Sequence, residues 1–136
     1  MIFLYLSVPH IHLFLTVLFD AYFEDEMDGE IRTVLKLNPK IAPIKAAIFP
    51  LVKKLNEPAQ NLYLKLKEKF INIEFDDKGS IGKRYRRQDE IGTPICVTFD
   101  FESLENQTVT IRNRDTGKQE RISVDNVEQY IQNLIS

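Results

Sequence analysis

The sequence predicts an α/β domain, a mixed sheet of about five strands with about three helices, preceded by an N-terminal helix. Three observations carry this reading. Between residues 44 and 101, apolar runs of strand length alternate with stretches of helical period, in the order strand, helix, strand, helix, strand. That order marks a parallel sheet with right-handed crossovers. The tail departs from it, because two strand-like runs over 108–114 and 119–124 join through Asp115-Thr116-Gly117-Lys118, a hairpin turn. Finally, Met1 to Phe19 contains no charged residue, the composition of a buried helix or of the stump of one.

Each element has its own signal. From Leu13 the run LFLTVLFDAYF reads as an apolar helix continuing into FEDEMDGE, with Gly29 as its stop. Residues 32–37 suit a short strand or connector, closed by Asn38-Pro39. The run over 44–49 lies between prolines and fits a strand buried on both faces. Asn56-Glu57-Pro58 starts a helix, with Asn56 as N-cap and proline in the first turn. Leu55, Ala59, Leu62, Leu66 and Phe70 form its apolar stripe, and Lys65, Lys67 and Lys69 fall mainly outside it.

Ile71, Ile73 and Phe75 alternate with Asn72 and Glu74, as in a strand with one buried face. After a turn over 76–79, Ser80 caps a helix carrying Ile81, Tyr85 and Ile91, which Gly92 ends. Ile95, Val97, Phe99 and Phe101 alternate again. Asp125 with Glu128 makes a capping box for a last helix, with Val127, Ile131 and Leu134 inward.

The charge is unevenly spread. The first 30 residues hold six acids and no Lys or Arg, so the remaining chain carries all 18 basic residues against 14 acids, a net of +4. Such a balance permits a nucleic-acid surface without demanding one. A lone Cys96 cannot form an internal disulfide, which points to a reduced, cytoplasmic setting. The apolar head has no basic n-region, and Pro9, His10 and His12 interrupt it, so neither a signal peptide nor a membrane span is expected.

One cluster stands out. Lys83-Arg84-Tyr85-Arg86-Arg87 opens a helix behind the turn Gly79-Ser80-Ile81-Gly82, where cations and free helix N–H groups suit phosphate. Arg112 and Arg114 project from one side of their strand and extend the cluster, and Tyr85 stacks on a base if it faces outward. The competing reading is a solvated helix face, with Tyr85 in the core and the arginines paired to Asp89 or Glu90. No catalytic or metal residues emerge: there is no Walker loop, dinucleotide fingerprint, hydrolase elbow or His/Cys cluster at ligand spacing.

Three segments, KIAPIKAAIFPLVKK, GSIGKRYRRQDEIGTPICVTFDF and TVTIRNRDTGKQERI, resemble in order and spacing the anticodon-binding domain of dimeric glycyl-tRNA synthetases. The resemblance runs from about Glu30 to the C-terminus. Its most specific part is the arginine-tyrosine helix with the DEIGTP turn, and Arg112-Asn113-Arg114-Asp115 points to the glycyl branch. LTVLFDAY resembles the final helix of the class II catalytic domain. In the family a motif E-P-S-x-G-x-D/E-R precedes that helix, and its arginine grips ATP. Here Tyr5, Pro9 and His12 stand at the glutamate, glycine and arginine positions.

The resemblance therefore implies residues 1–30 as the remnant of the last catalytic helix and an acidic linker, and 31–136 as an anticodon-binding domain. It implies binding of the anticodon stem-loop of tRNA(Gly) through Lys83, Arg84, Arg86 and Arg87, with Arg112 and Arg114 second. Asp89 and Glu90 accept from base amino groups or order the arginines. The parent reaction is glycylation of tRNA(Gly) with ATP and Mg, and this chain is expected to hold no cofactor and no activity of its own. The exposed head would self-associate. The alternative is a non-catalytic, synthetase-like interaction module or remnant without RNA binding.

Overall fold

The computed structural model describes residues 2–136, and the side chains of the helix from Pro9 onward. The expectation about Tyr5 at the lost glutamate position therefore lies outside the described side chains. Helix α1 spans Ile2–Ala21 with Pro9 inside it. Strands β1 (Tyr22–Met27) and β2 (Glu30–Leu35) form a separate antiparallel pair. Five strands make the main sheet: β3 (Ala46–Pro50), β4 (Ile73–Phe75), β5 (Ile95–Phe99), β6 (Thr108–Asn113) and β7 (Gln119–Ser123).

Their order is β4-β3-β5-β6-β7. β3 runs parallel to both β4 and β5, whereas β5–β6 and β6–β7 are antiparallel. Helices α2 (Asn56–Lys67), α3 (Ile81–Ile91), α4 (Phe101–Asn106) and α5 (Val127–Ile135) complete the chain. The mixed five-stranded sheet expected from the sequence is therefore present, with more helices than expected.

The alternation of side chains across β3 and β5 builds two cores. Ala46, Ile48, Ile95 and Val97 face α2 and α5, meeting Leu62, Leu66, Val127 and Ile131. Ala47, Phe49 and Cys96 face the other way, onto Ile81 and Tyr85 of α3. Every residue of β3 and β5 is buried, as a continuous apolar run predicts for a parallel strand covered on both faces.

Four local expectations are corrected. The first helix does not run to Gly29 but stops at Ala21, because Asp28 (φ 55°) and Gly29 (φ 81°) form a tight turn that folds the acidic stretch back on Glu30–Leu35. A two-residue Asp-Gly loop with both φ positive suits the twist of a hairpin. The strands of this hairpin lie on either side of Asp28-Gly29. Asn56 does not cap α2: its amide donates to Asp77 at 2.9 Å, and the N-cap position is Leu55 without a side-chain bond.

Phe101 does not continue β5. Asp100 and Ser103 cap each other reciprocally and start α4 there, leaving Phe101 half-exposed. The box foreseen at Asp125 and Glu128 is likewise replaced, since Ser123 accepts from the Asp125 amide and a 3-10 turn leads into α5. The caps of α3 hold as read: Ser80 accepts from the Lys83 N–H, and Gly92 closes the helix at φ 87°.

Candidate nucleic-acid interface

The basic cluster of α3 divides according to which way each turn of the helix points. Arg84 faces inward and is 6% exposed. It donates to the carbonyls of Pro50, Gly79 and, at 3.4 Å, Asp77, tying the end of β3 to the turn before α3. Lys83, Arg86 and Arg87 lie on or near the outer surface. Arg87 pairs with Asp76 at 2.7 Å and Arg86 pairs with Glu30 of the hairpin; their side chains remain 45% and 40% exposed.

An exposed pair such as Arg86–Glu30 contributes only about 0.2–1 kcal/mol, so a polyanion can displace its carboxylate. Asp76, by contrast, is 10% exposed and held by two Arg87 nitrogens. Lys83 makes no ion pair among the described residues. Glu90 is exposed on the same helix.

Asp89, Arg112 and Arg114 are buried. Asp89 accepts from Arg112 at 3.0 and 3.2 Å and from Arg32 at 3.1 Å. Arg114 donates to the carbonyls of Gly92 and Leu37, both at 2.8 Å, and pairs with Asp115. Arg112 also lies 4.6 Å above the Tyr85 ring, whose hydroxyl bonds Thr98. Burial of that phenol pushes its pKa up. Tyr85 is thus half-buried, with its edge against Phe49 and its face against a guanidinium.

Sequence reasoning missed the residue at the centre of this network. Arg32, 2% exposed, forks onto Asp25 at 2.6 and 2.9 Å and also donates to Asp89 and to the Arg114 carbonyl. The Arg32 hydrogen bonds hold the Asp25 carboxyl below its ordinary range. The available signal was the Asp28-Gly29 pair, which places Arg32 on a strand of a hairpin. Between that hairpin and α3 opens a cleft of about 280 Å³, lined among others by Asp28, Glu30, Tyr85, Arg86 and Arg112.

Elsewhere the described residues contain no group of His, Cys, Asp and Glu able to hold a metal, and no helix among them is long and apolar enough to cross a membrane. Leu13, Phe14 and Phe19 of α1 are more than 60% exposed.

A mixed sheet with helices on both faces, one of them the basic α3 over the central strands, is a fold shared with a solved synthetase domain. The RNA-binding domain of threonyl-tRNA synthetase from Cryptosporidium parvum superposes on 73% of this chain and 25% of that one, with a TM-score of 0.67 at 21% identity. The family described as the anticodon binding domain matches residues 45–134.

The glycine–tRNA ligase of Caldanaerobacter subterraneus is 59% identical over 126 residues, which is 93% of this chain and 27% of that protein. The ligase of Clostridium beijerinckii is 58% identical over 87% of this chain and 26% of its own length. The chain belongs to the anticodon-binding domain family, in its glycyl-tRNA synthetase branch. It spans about a quarter of the length of these relatives.

Proposed function

We propose that this domain recognises the anticodon stem-loop of tRNA(Gly), contributing the recognition step to a reaction whose chemistry is carried out elsewhere. The observation that carries this is the exposed cationic strip of α3 beside a cleft floored by Tyr85 and Arg112, within a chain of the glycyl branch. Lys83, Arg86 and Arg87 take phosphate oxygens, Arg86 exchanging Glu30 for the RNA backbone. Arg84, Asp89, Arg112 and Arg114 shape the surface beneath and meet the RNA only where their edges reach the cleft. Glu90 accepts from a base amino group or orders the arginines.

In this reading the parent reaction is ATP-dependent glycylation with Mg, and residues here bind neither ATP nor metal. The setting is the cytoplasm. The anticodon-binding unit begins with the hairpin at Tyr22 rather than at residue 31, because β1 and β2 pair along their whole length. Copies associate through the apolar N-terminal segment, where an open groove of about 420 Å³ runs along Leu13, Phe14, Val17 and Leu35.

Purified protein titrated with tRNA(Gly), and with the same tRNA carrying altered anticodon bases, at two salt concentrations, tests the reading. Wild type should prefer the native anticodon, and R86A/R87A should bind every transcript more weakly. Each lost phosphate contact to single-stranded RNA should lower the slope of log affinity against log salt by about 0.7. Absent or anticodon-blind binding favours the second reading, a protein-interaction module. The observation behind that reading is that Arg86 and Arg87 already hold acidic partners.

A further inference from the structure

The β1–β2 hairpin lies outside the stretch that the general anticodon-binding family covers, which begins at residue 45. It lies inside the stretch shared with the Caldanaerobacter glycine–tRNA ligase, since a match over 93% of a 136-residue chain cannot omit residues 22–35. It also forms one wall of the cleft whose opposite wall is α3. Resting on the RNA-binding reading above, we propose that this hairpin is the specificity wall of the RNA site. Asp28 and Glu30 select a base edge that offers amino hydrogens, and Arg32 is the positioning residue that holds them there.

The cleft is chemically two-sided. Tyr85 and the Arg112 guanidinium, 4.6 Å above its ring and held by Asp89, line the cleft and leave a base the space beside them rather than an open ring face. Asp28 in the two-residue turn and Glu30 directly after it line the cleft and offer only acceptors. Two carboxylates repel a phosphate but accept hydrogen bonds from an exocyclic amino group, which cytosine, adenine and guanine carry and uracil lacks. The strip on α3 and the cleft are therefore complementary, one for backbone and one for a base.

Arg32 fixes the geometry because it lies two residues after Glu30 on the same face of β2. Its fork joins Asp25 within the hairpin to Asp89 on α3 and to the Arg114 carbonyl. A lysine would keep the charge but cannot span three acceptors from one planar group. Met27 packs against Gly117, where an added Cβ would lie 2.6 Å from its sulfur, so the hairpin tip is also seated sterically.

The test measures binding of tRNA(Gly) transcripts in which each anticodon base in turn is replaced by uracil. For one position, wild type should discriminate roughly ten-fold or more, and E30A or D28A should lose most of that preference. The salt slope should not fall, because no phosphate contact is removed; E30A, which releases Arg86, should bind the uracil-substituted transcript at that position somewhat more tightly. R32K should lose the same preference, with amide hydrogen exchange accelerated over residues 22–35 and unchanged in β3 and β5.

Undiminished discrimination in E30A and D28A removes the hairpin from the site. Exchange in R32K that is unaltered, or accelerated throughout the sheet, removes Arg32 as its positioning residue. Wild type that binds no tRNA at either salt overturns the RNA reading itself, an outcome distinct from both.

Discussion

Arg32 and Asp89, 57 residues apart in sequence, meet at 3.1 Å in the seam between hairpin and α3, with side chains 1% and 2% exposed. Arg112 reaches the same carboxylate from β6. One acid thus neutralises two guanidinium groups that are themselves buried. Removing it strands Arg112 and leaves Arg32 with Asp25 alone, and an uncompensated buried charge costs several kcal/mol.

Substituting Asp89→Asn should therefore destabilise the domain by about 3–5 kcal/mol, read as a lower urea midpoint. Asp25→Asn should cost less, because the Asp25 side chain is 31% exposed and water takes up part of the lost interaction.

Acid should weaken the fold through two carboxylates in particular. Asp25 is held below the usual range by Arg32. For Asp100, burial works in the opposite direction, but hydrogen bonds from Arg121 and Ser103 outweigh it. A depressed folded-state pKa gives stability that is present above the unfolded value, about 3.9, and lost as pH falls through the folded one. Their contribution should be flat from pH 7 to 5 and decline below about pH 4. Thermal melts of wild type and D25N should converge as pH falls through that range.

Glycine substitutions should separate by position. Gly92→Ala places a Cβ 2.7 Å from Leu37 Cδ1 and 3.1 Å from the Leu35 carbonyl, at φ 87°. It should cost about 1–3 kcal/mol or more. Gly82→Ala in the first turn of α3 meets nothing within 4 Å. It should be neutral or stabilising, by up to about 1 kcal/mol, in the same denaturation assay.

Cys96 should be inert in the native protein. It is buried beneath α3, and burial pushes its thiol far above the ordinary range. Labelling by a thiol reagent at pH 8 should be slow without denaturant and should follow global unfolding. Fast stoichiometric labelling would mean that α3 lifts from the sheet.

Most of the sheet was readable because its signals are local. β3 and β5 are apolar runs of strand length, β6 alternates Val109 and Ile111 with polar residues, and α3 announces both ends with Ser80 and Gly92. The hairpin was missed because an apolar helix runs straight into acids that look like its solvated end. Only Asp28-Gly29 betrays the reversal, and pairing with Glu30–Leu35 then overrides local preference. The inward direction of Arg84, Arg112 and Arg114 was not readable either. Arginine runs look alike in sequence, and their burial depends on carbonyls and an aspartate brought in from distant segments. Lys83, Arg86 and Arg87 did emerge on the open side of the cluster.

The strand order β4-β3-β5-β6-β7 leaves two rims to the sheet. One is only three residues long, and the other, Gln119–Ser123, carries Glu120 and Arg121 at its centre. Rims so short or so charged make poor templates for another strand. Concentrated solutions of this chain should therefore resist cross-β growth, and whatever clustering occurs should be of the reversible, side-chain kind, dissolved by mild detergent and invisible to amyloid dyes.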